Sequence, residues 1–444
     1  MQPSYPYRKY PLLLAAFTIT LSTLLVYFIP RSNFIATFLI FTALFIAYFF
    51  LVKKENIFSL RFCIGLAVAL RLVALFSTPA LSDDYFRFIW DGKISLMHIH
   101  TFQYTPKEFL ASHPTTAYLQ HLFDSMNSQE YHTVYPAVMQ FFFVVAAYIG
   151  NGSDGLSVFV MKLFILFAEL GSIRILLLFA RKYKILKRNI LWYILNPLII
   201  IELTGNCHFE AVLIFFMLLF FYFILDKKIL YAAIFFALAV STKLIPLMLL
   251  PLVLRHLRLR NFIKFAGISL AAGVLLFLPL LNIQLVMGMK DSLRLFFHLF
   301  EFNASVFYFI RWVGYFYVDY DIIEEVAPVL GIISFFTILL ISWWPSKKYS
   351  FIEKSLWVFS IYFLFSTTVH PWYSAILILL AAISRFRFPI VFSSLILLSY
   401  YPYSMKEYNE DDNLWLVAIE YGLLLIFMLY EIWILKKRPI QSLF

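Results

Sequence analysis

The chain has 444 residues, of which 62% are hydrophobic and only 14% are charged. This composition excludes a soluble globular protein and indicates an all-α protein that crosses a membrane several times. The net charge of +11 does not indicate nucleic-acid binding, because the basic residues lie in short loops between apolar runs, where they set the orientation of the spans.

The first apolar runs predict three transmembrane helices, at about 11–29, 33–52 and 58–77. Each run is long enough to cross a bilayer core of about 30 Å. Arg8-Lys9 before the first run and Lys53-Lys54 after the second are expected in the cytoplasm, because short loops rich in Lys and Arg stay on that side. Residues 78–134, the longest polar segment, are therefore expected on the outside, and both chain termini in the cytoplasm.

The outer loop carries the sequence Ser82-Asp83-Asp84, which is typical of a helix N-terminus with a serine cap and an acidic first turn. Asp84, Arg87 and Asp91 recur at i, i+3 and i+7 and so share one stripe of the predicted helix. We expect the helix to lie along the membrane interface, with its acids facing a cavity and its apolar side chains facing lipid or protein. An ordinary capped helix is the simpler interpretation and does not exclude this one.

Later apolar segments do not alternate simply with basic loops. Two apolar segments, 135–149 and 156–180, separate the outer loop from the next basic loop, although a single membrane crossing would connect them. The segments 230–254 and 303–344 likewise contain more apolar residues than the expected number of crossings requires. We therefore predict about 13 transmembrane helices, some of them broken or re-entrant, and such segments line cavities in membrane proteins.

Four polar clusters are expected on the outer face. They are Asp83-Asp84, Thr204–Glu210, Glu301–Ser305 and Thr367–Ser374. Ionisable groups at membrane depth are functional by default, although single interfacial histidines are often structural. Lys243, within an apolar segment, either binds a phosphate or extends to the cytoplasmic interface. Arg294 and Arg311 either bind a phosphate or anchor the chain at the interface.

Several motifs occur in the same order as in the GT-C superfamily of polytopic glycosyltransferases. DDYFRFIWDG at 83–92 resembles the family pattern DD-x-Y-R-x-x-W-D-G, with Phe86 in place of the tyrosine. The further similar stretches are IHTFQYTP (99–106), VYPAVMQ (134–140), NP (196–197) before G-x-x-H-x-E (205–210), KLIP (243–246), FNAS (302–305) and HPWY (370–373). The closest likeness is to bacterial polyprenyl-phosphate-mannose-type transferases and to the first luminal mannosyltransferase of GPI-anchor synthesis.

The resemblance implies a single membrane domain with a GT-C-like core at 58–375. Residues 1–57 would form an additional N-terminal hairpin and residues 376–444 the C-terminal spans. It further implies inverting transfer of a hexose, mannose by analogy, from a polyprenyl-phosphate donor to a lipid or glycan acceptor. The reaction would occur on the extracytoplasmic face of a bacterial inner membrane, surrounded by membrane lipids.

The resemblance also implies roles for individual residues. Asp84 or Asp83 would be the general base that takes the proton from the acceptor hydroxyl. The remaining site residues would bind substrate: Arg87, Asp91, Tyr104, Gln140, Asn206, His208, Glu210, Lys243, Arg294, Asn303, Arg311, His370 and Tyr373. Of these, His370, Arg294 and Arg311 are candidates to stabilise the leaving phosphate, with His208 near the sugar.

Two alternatives remain at this point. A lipid-linked sugar flippase would also have intramembrane charges and broken helices, but it would place polar residues along both halves of a pathway. A metal-dependent transferase would use the acids as ligands for Mg²⁺ or Mn²⁺. We expect no required cofactor and no metal site, because neither HExxH nor paired-histidine spacing occurs.

Overall fold

The computed structural model describes residues 9–298, 300–345, 348–405 and 413–437. All secondary structure in these residues is helical, apart from one isolated bridge between Phe302 and Thr368. Six helices in this part of the chain are long and apolar enough to cross a membrane, or seven if Ile199–Gly205 and Glu210–Leu225 form one broken span. The prediction of an all-α polytopic membrane protein is confirmed, and shorter apolar helices would have to supply the rest of the 13 crossings.

The α-helices in chain order are α1 (Lys9–Tyr27), α2 (Phe34–Lys53), α3 (Leu60–Leu75), α4 (Asp84–Leu96), α5 (Pro106–Ser112), α6 (Ala117–Ser125), α7 (Ala137–Gly150), α8 (Asp154–Lys182), α9 (Leu191–Ile194), α10 (Glu210–Leu225), α11 (Ile229–Thr242), α12 (Leu250–Phe277), α13 (Ile283–His298), α14 (Val306–Gly314), α15 (Ile323–Trp343), α16 (Phe351–Phe365), α17 (Ala375–Ala382), α18 (Phe388–Leu395) and α19 (Leu414–Lys437). A π-helix covers Ile199–Gly205, and 3-10 helices cover Lys187–Ile190, Ile245–Leu249, Leu278–Leu280, Pro371–Ser374 and Ile396–Ser404.

The chain divides into two compact units. Unit 1 consists of Met1–Leu81, Glu169–Glu210 and Pro371–Phe444, and unit 2 consists of Ser82–Ala168 and Ala211–His370. The predicted organisation as one membrane domain, with boundaries after residues 57 and 375, stays a prediction.

The predicted interruptions of the apolar segments are present in unit 2. Helix α11 ends at Thr242, and Lys243 is extended, with φ −156° and ψ 139°. The chain resumes as a 3-10 helix that contains Pro246. Proline has no backbone N–H and its ring clashes with the preceding turn, so an uninterrupted helix through this position is unfavourable. Within 303–344 the chain is likewise divided, because α14 ends at Gly314 and α15 begins at Ile323.

Helix α4 packs very closely on α7 in unit 2. A Cβ atom at Gly92 would lie 2.2 Å from the carbonyl oxygen of Phe143, so only glycine permits this approach. The ring of Phe88 stacks on that of Phe143, with centroids 4.6 Å apart. The predicted helix after Asp83 is therefore confirmed, and the glycine of its WDG motif fixes its distance from α7.

Unit 1 contains a fully buried ion pair between α3 and α8. Arg71 donates from Nε to Oε2 of Glu169 at 2.8 Å and from Nη1 to the carbonyl of Ile194, at the end of α9, at 2.7 Å. Tyr193 donates its hydroxyl hydrogen to Oε1 of the same glutamate at 2.6 Å. Because a buried charge is tolerated only when it is paired and hydrogen-bonded, this network ties α3, α8 and α9 together.

Candidate active site

The two adjacent aspartates lie at the N-terminus of α4, where the helix dipole favours negative charge. Asp83 is the N-cap residue, and its side chain makes no cap hydrogen bond. The Oγ of Ser82 instead accepts from the backbone N–H of Asp84 at 3.3 Å, and Asn127 makes a long contact of 3.5 Å to Oδ1 of Asp84. Both aspartates are only half-buried.

The other two charges of the predicted stripe form a buried ion pair. Nε of Arg87 donates to Oδ1 of Asp91 at 2.8 Å, and these residues are only 3% and 1% exposed. Oδ2 of Asp91 accepts from Oγ1 of Thr133 and from Nε2 of Gln140, the latter at 3.0 Å. Arg87 and Asp91 share a helix face as predicted, but their charges are neutralised within the protein, and their part in substrate binding stays a prediction.

The same network holds a segment of the 78–134 loop against α4. Nη1 of Arg87 donates to the carbonyl oxygens of Ser128 and Tyr131, at 2.9 and 2.8 Å. On the following residues, Oγ of Ser292 in α13 donates to the carbonyl of Thr133 at 2.9 Å. Arg294 lies two residues further along α13 and is exposed, which suits it to an anionic ligand.

Two of the predicted polar clusters meet in unit 2. The N–H of Phe302 donates to the carbonyl of Thr367 at 2.9 Å, and the N–H of Val369 donates back to the carbonyl of Phe302 at 2.8 Å. The ring of His370 stacks on that of Phe302, with centroids 4.6 Å apart. Asn303 follows with a left-handed backbone, φ 50°, and is buried. The backbone pairing thus places the histidine beside the loop that carries Asn303.

Arg311 forms a buried ion pair with Glu301, the first residue of the same loop. Its guanidinium also lies over the ring of Tyr308, 4.8 Å from the centroid. The carboxylate neutralises the arginine, so a phosphate would have to share this cation with Glu301. Elsewhere in unit 2, Lys243 is half-buried at the break after α11, and the ring of Tyr104 packs on His113 at 5.1 Å.

Unit 1 contains Asn206 and His208, two of the predicted binding residues, around one glutamate that the sequence did not single out. Nδ2 of Asn206 donates to Oε1 of Glu202 at 3.1 Å. Oδ1 of Asn206 accepts from the backbone N–H groups of Ala80 and Leu81, at 3.1 and 3.0 Å. The asparagine therefore holds the two residues that immediately precede Ser82-Asp83-Asp84 in the chain.

His208 contacts the same glutamate. Its Nδ1 lies 2.9 Å from the carbonyl oxygen of Glu202 and 3.3 Å from Oε2, so Nδ1 carries the hydrogen. The ring stacks on Trp372 with centroids 3.8 Å apart. The hydroxyl of Tyr400 donates to Oε1 of Glu202. Of the other predicted residues in this unit, Glu210 begins α10 and is buried, and Tyr373 is half-buried beside Trp372.

Some of the side chains that organise these sites were not predicted from the sequence. Glu202 had a usable signal, because it is an ionisable residue within the apolar run PLIIIEL. Thr133 and Tyr400 had none, since each meets its carboxylate only through the fold, 42 and 198 residues along the chain. In the described residues no group of three or more His, Cys, Asp or Glu side chains is arranged to hold a metal ion.

Comparison with known proteins supplies the class of reaction. Residues 16–258, more than half of the chain, match the family described as alpha-(1->6)-mannopyranosyltransferase, N-terminal domain. None of the curated proteins compared with the chain matches it. The matched residues include both aspartates at the start of α4 and, from the cluster around Glu202, the glutamate itself, Asn206 and His208. The predicted resemblance is confirmed: the chain belongs to this family of GT-C-type membrane mannosyltransferases and is a glycosyltransferase.

Proposed function

We propose that the protein transfers a mannosyl residue from a polyprenyl phosphate to a hydroxyl group of a lipid or glycan acceptor, on the extracytoplasmic face of the membrane. The observation that carries the proposal is the contrast among the acids of α4. Asp83 and Asp84 are half-buried at the helix N-terminus, whereas Asp91 is buried and bonded to three side chains. A general base must reach the proton that it removes, so the base is one of the first two aspartates.

The proposed reaction is a single displacement at the anomeric carbon. The acceptor oxygen attacks that carbon while Asp84 or Asp83 takes the hydroxyl proton. The bond between the carbon and the phosphate oxygen breaks, and the phosphate leaves with the bonding electron pair. The family description names an alpha linkage. We propose the same linkage for this product, so inversion requires a donor with a β-linked mannosyl phosphate.

The leaving phosphate needs positive charge or hydrogen-bond donors nearby. We propose that Arg294 and His370 provide them, because the first is exposed and the second is half-buried beside Phe302. Arg311 would contribute less, because it is already paired with Glu301.

The test is a transfer assay with purified protein in lipid vesicles. The donors are β-linked mannosyl polyprenyl phosphate, its α anomer and GDP-mannose, each with and without EDTA. We expect an alpha-linked product from the β donor alone, undiminished by EDTA. Transfer from GDP-mannose, or loss of transfer with EDTA, would contradict the donor or the metal-free mechanism. Movement of the donor across the vesicle without any glycoside would indicate a flippase.

The catalytic base is tested by substitution in the same assay. Asp84→Asn or Asp83→Asn is expected to lower kcat about 10²–10⁴-fold, the usual contribution of a general base, with the protein still folded. Asp124→Asn is the matched control, since Asp124 is exposed in the same loop and hydrogen-bonds Gln120. Undiminished transfer in both Asp83→Asn and Asp84→Asn would show that neither aspartate is the general base.

A further inference from the structure

We propose that Glu202 is a positioning residue that sets, through one carboxylate, the orientation of His208 and of the chain that leads into the two aspartates. The inference rests on the proposed function, because it assigns Glu202 to the transfer reaction. Glu202 lies in the π-helix Ile199–Gly205 and is 1% exposed. An ionisable side chain at such a place in an apolar segment is costly unless its partners use its charge.

The directions of the hydrogen bonds around Glu202 determine how its partners are oriented. A carboxylate accepts hydrogen bonds and donates none, whereas an asparagine amide has a donor end and an acceptor end. Because Oε1 of Glu202 can only accept, it faces the Nδ2 end of Asn206, at 3.1 Å. The Oδ1 end is thereby directed to the N–H groups of Ala80 and Leu81. If the amide were reversed, its NH₂ group would face two backbone donors.

The same glutamate lies against Nδ1 of His208. Its backbone carbonyl accepts the hydrogen bond from Nδ1, so the hydrogen stays on that nitrogen, and the carboxylate oxygen Oε2 lies 3.3 Å from it, where its negative charge favours the same arrangement. Stacking on Trp372 then fixes the plane of the ring. Proton position and ring plane together determine how Nε2, the other ring nitrogen, is presented to a sugar.

Glutamine at position 202 would keep the shape of the side chain but could not satisfy both partners. If its oxygen faces Asn206, its NH₂ group faces Nδ1 of His208 and the ring must change tautomer or move. If its NH₂ group faces the asparagine, that amide must reverse and its NH₂ group meets the N–H groups of Ala80 and Leu81. One of the two arrangements is therefore lost in Glu202→Gln.

Exchanging the carboxylate and the amide between positions 202 and 206 tests the same hydrogen-bond directions. In the double variant Glu202→Gln/Asn206→Asp, the new NH₂ group at 202 can donate to the new carboxylate at 206. The second oxygen of that carboxylate still accepts from Ala80 and Leu81, and an acceptor, the amide oxygen at 202, still lies beside Nδ1 of His208. The single variant Asn206→Asp instead brings two carboxylates together. The double variant should thus recover what each single variant loses.

The experiment measures kcat, KM for the donor, and hydrogen exchange of a peptide containing Ala80 and Leu81, in four proteins. We expect Glu202→Gln and Asn206→Asp to lower kcat at least 10-fold and to accelerate exchange in that peptide, and the double variant to recover at least half of each effect on a logarithmic scale. Tyr193→Phe is the matched control, because it removes a buried tyrosine–glutamate hydrogen bond elsewhere in unit 1. Its kcat should stay within two-fold of that of the unsubstituted protein.

The outcomes separate this inference from the proposed function. A kcat of Glu202→Gln within two-fold of the unsubstituted protein, unchanged exchange in both single variants, or no recovery in the double variant would overturn the positioning role. If the unsubstituted protein transfers no mannose from any lipid donor, the proposed function fails. The exchange measurement, which requires no substrate, then still decides whether Glu202 orients the chain before the aspartates.

Discussion

Substitution of Asp91 distinguishes a residue that holds α4 in place from one that takes part in the reaction. In Asp91→Asn the amide oxygen can still accept from Thr133 and Gln140. The NH₂ group then faces Nε of Arg87, so a charge-assisted hydrogen bond is replaced by two opposed donors. The arginine keeps its bonds to the Ser128 and Tyr131 carbonyls but loses its counter-charge.

The magnitude follows from burial. Removing one member of a buried ion pair costs about 3–5 kcal/mol, because the remaining charge is left uncompensated. Both side chains are almost fully buried, at 3% and 2% exposure, so solvent screening does not reduce this figure as it does for surface pairs. Asp84→Asn, at a half-buried position, should change the free energy of unfolding by only about 0.5 kcal/mol.

Two quantities are measured for each variant: the free energy of unfolding of the detergent-solubilised protein, by chemical denaturation, and kcat per folded molecule. We expect Asp91→Asn to be the unstable variant, and Asp84→Asn to keep its stability while its kcat falls if Asp84 is the base. The double variant Arg87→Met/Asp91→Leu should recover much of the lost stability, because it removes both charges together. An Asp91→Asn protein as stable as the unsubstituted one, with transfer abolished, would refute the reasoning and assign Asp91 to the substrate.

Two further predictions concern the 78–134 loop and its support. Gly92→Ala should destabilise the protein by about 1–3 kcal/mol, because the new Cβ would lie 2.2 Å from the carbonyl oxygen of Phe143. The same unfolding assay measures this loss. Gly155→Ala is the control, because a Cβ at that position would have nothing within 4 Å. Burial, and then the Asp154 carboxylate that accepts its hydrogen bond, raise the pKa of Tyr118 above its ordinary value. The neutral tyrosine therefore stabilises the folded state below about pH 10, and this contribution to stability is lost as the pH rises further. The stability of a Tyr118→Phe variant should fall less steeply above pH 10. An equally steep fall would contradict the role of Tyr118.

Apolar runs predicted the long helices well because the length of a span is set by the bilayer and not by tertiary contacts. The first run was expected at 11–29 and is helical at Lys9–Tyr27, and the second was expected at 33–52 and is helical at Phe34–Lys53. The interruption at Lys243 was also predictable, since Pro246 limits the helix by local chemistry.

Side-chain spacing predicted less of the candidate site. Periodicity placed Arg87 and Asp91 on one face of α4, and they do pair there. Periodicity carries no information on what that face meets, and Gln140, which donates a hydrogen bond to Asp91, lies 49 residues beyond it. The stripe was therefore expected to face a cavity, and only its first member, Asp84, remains half-buried.

In each of the two units, a buried carboxylate orients a side-chain amide near the candidate residues. In unit 2 the buried carboxylate of Asp91 directs the amide of Gln140, and in unit 1 the buried carboxylate of Glu202 directs that of Asn206. An acceptor-only group at the centre of each network gives every surrounding donor a single direction, which rigidifies the segments that they belong to. Asp91 and Glu202 are thus buried within hydrogen-bond networks, whereas Asp83 and Asp84 are half-buried at a helix N-terminus, and this contrast is the reason that the proposed base is sought among the first two aspartates of α4.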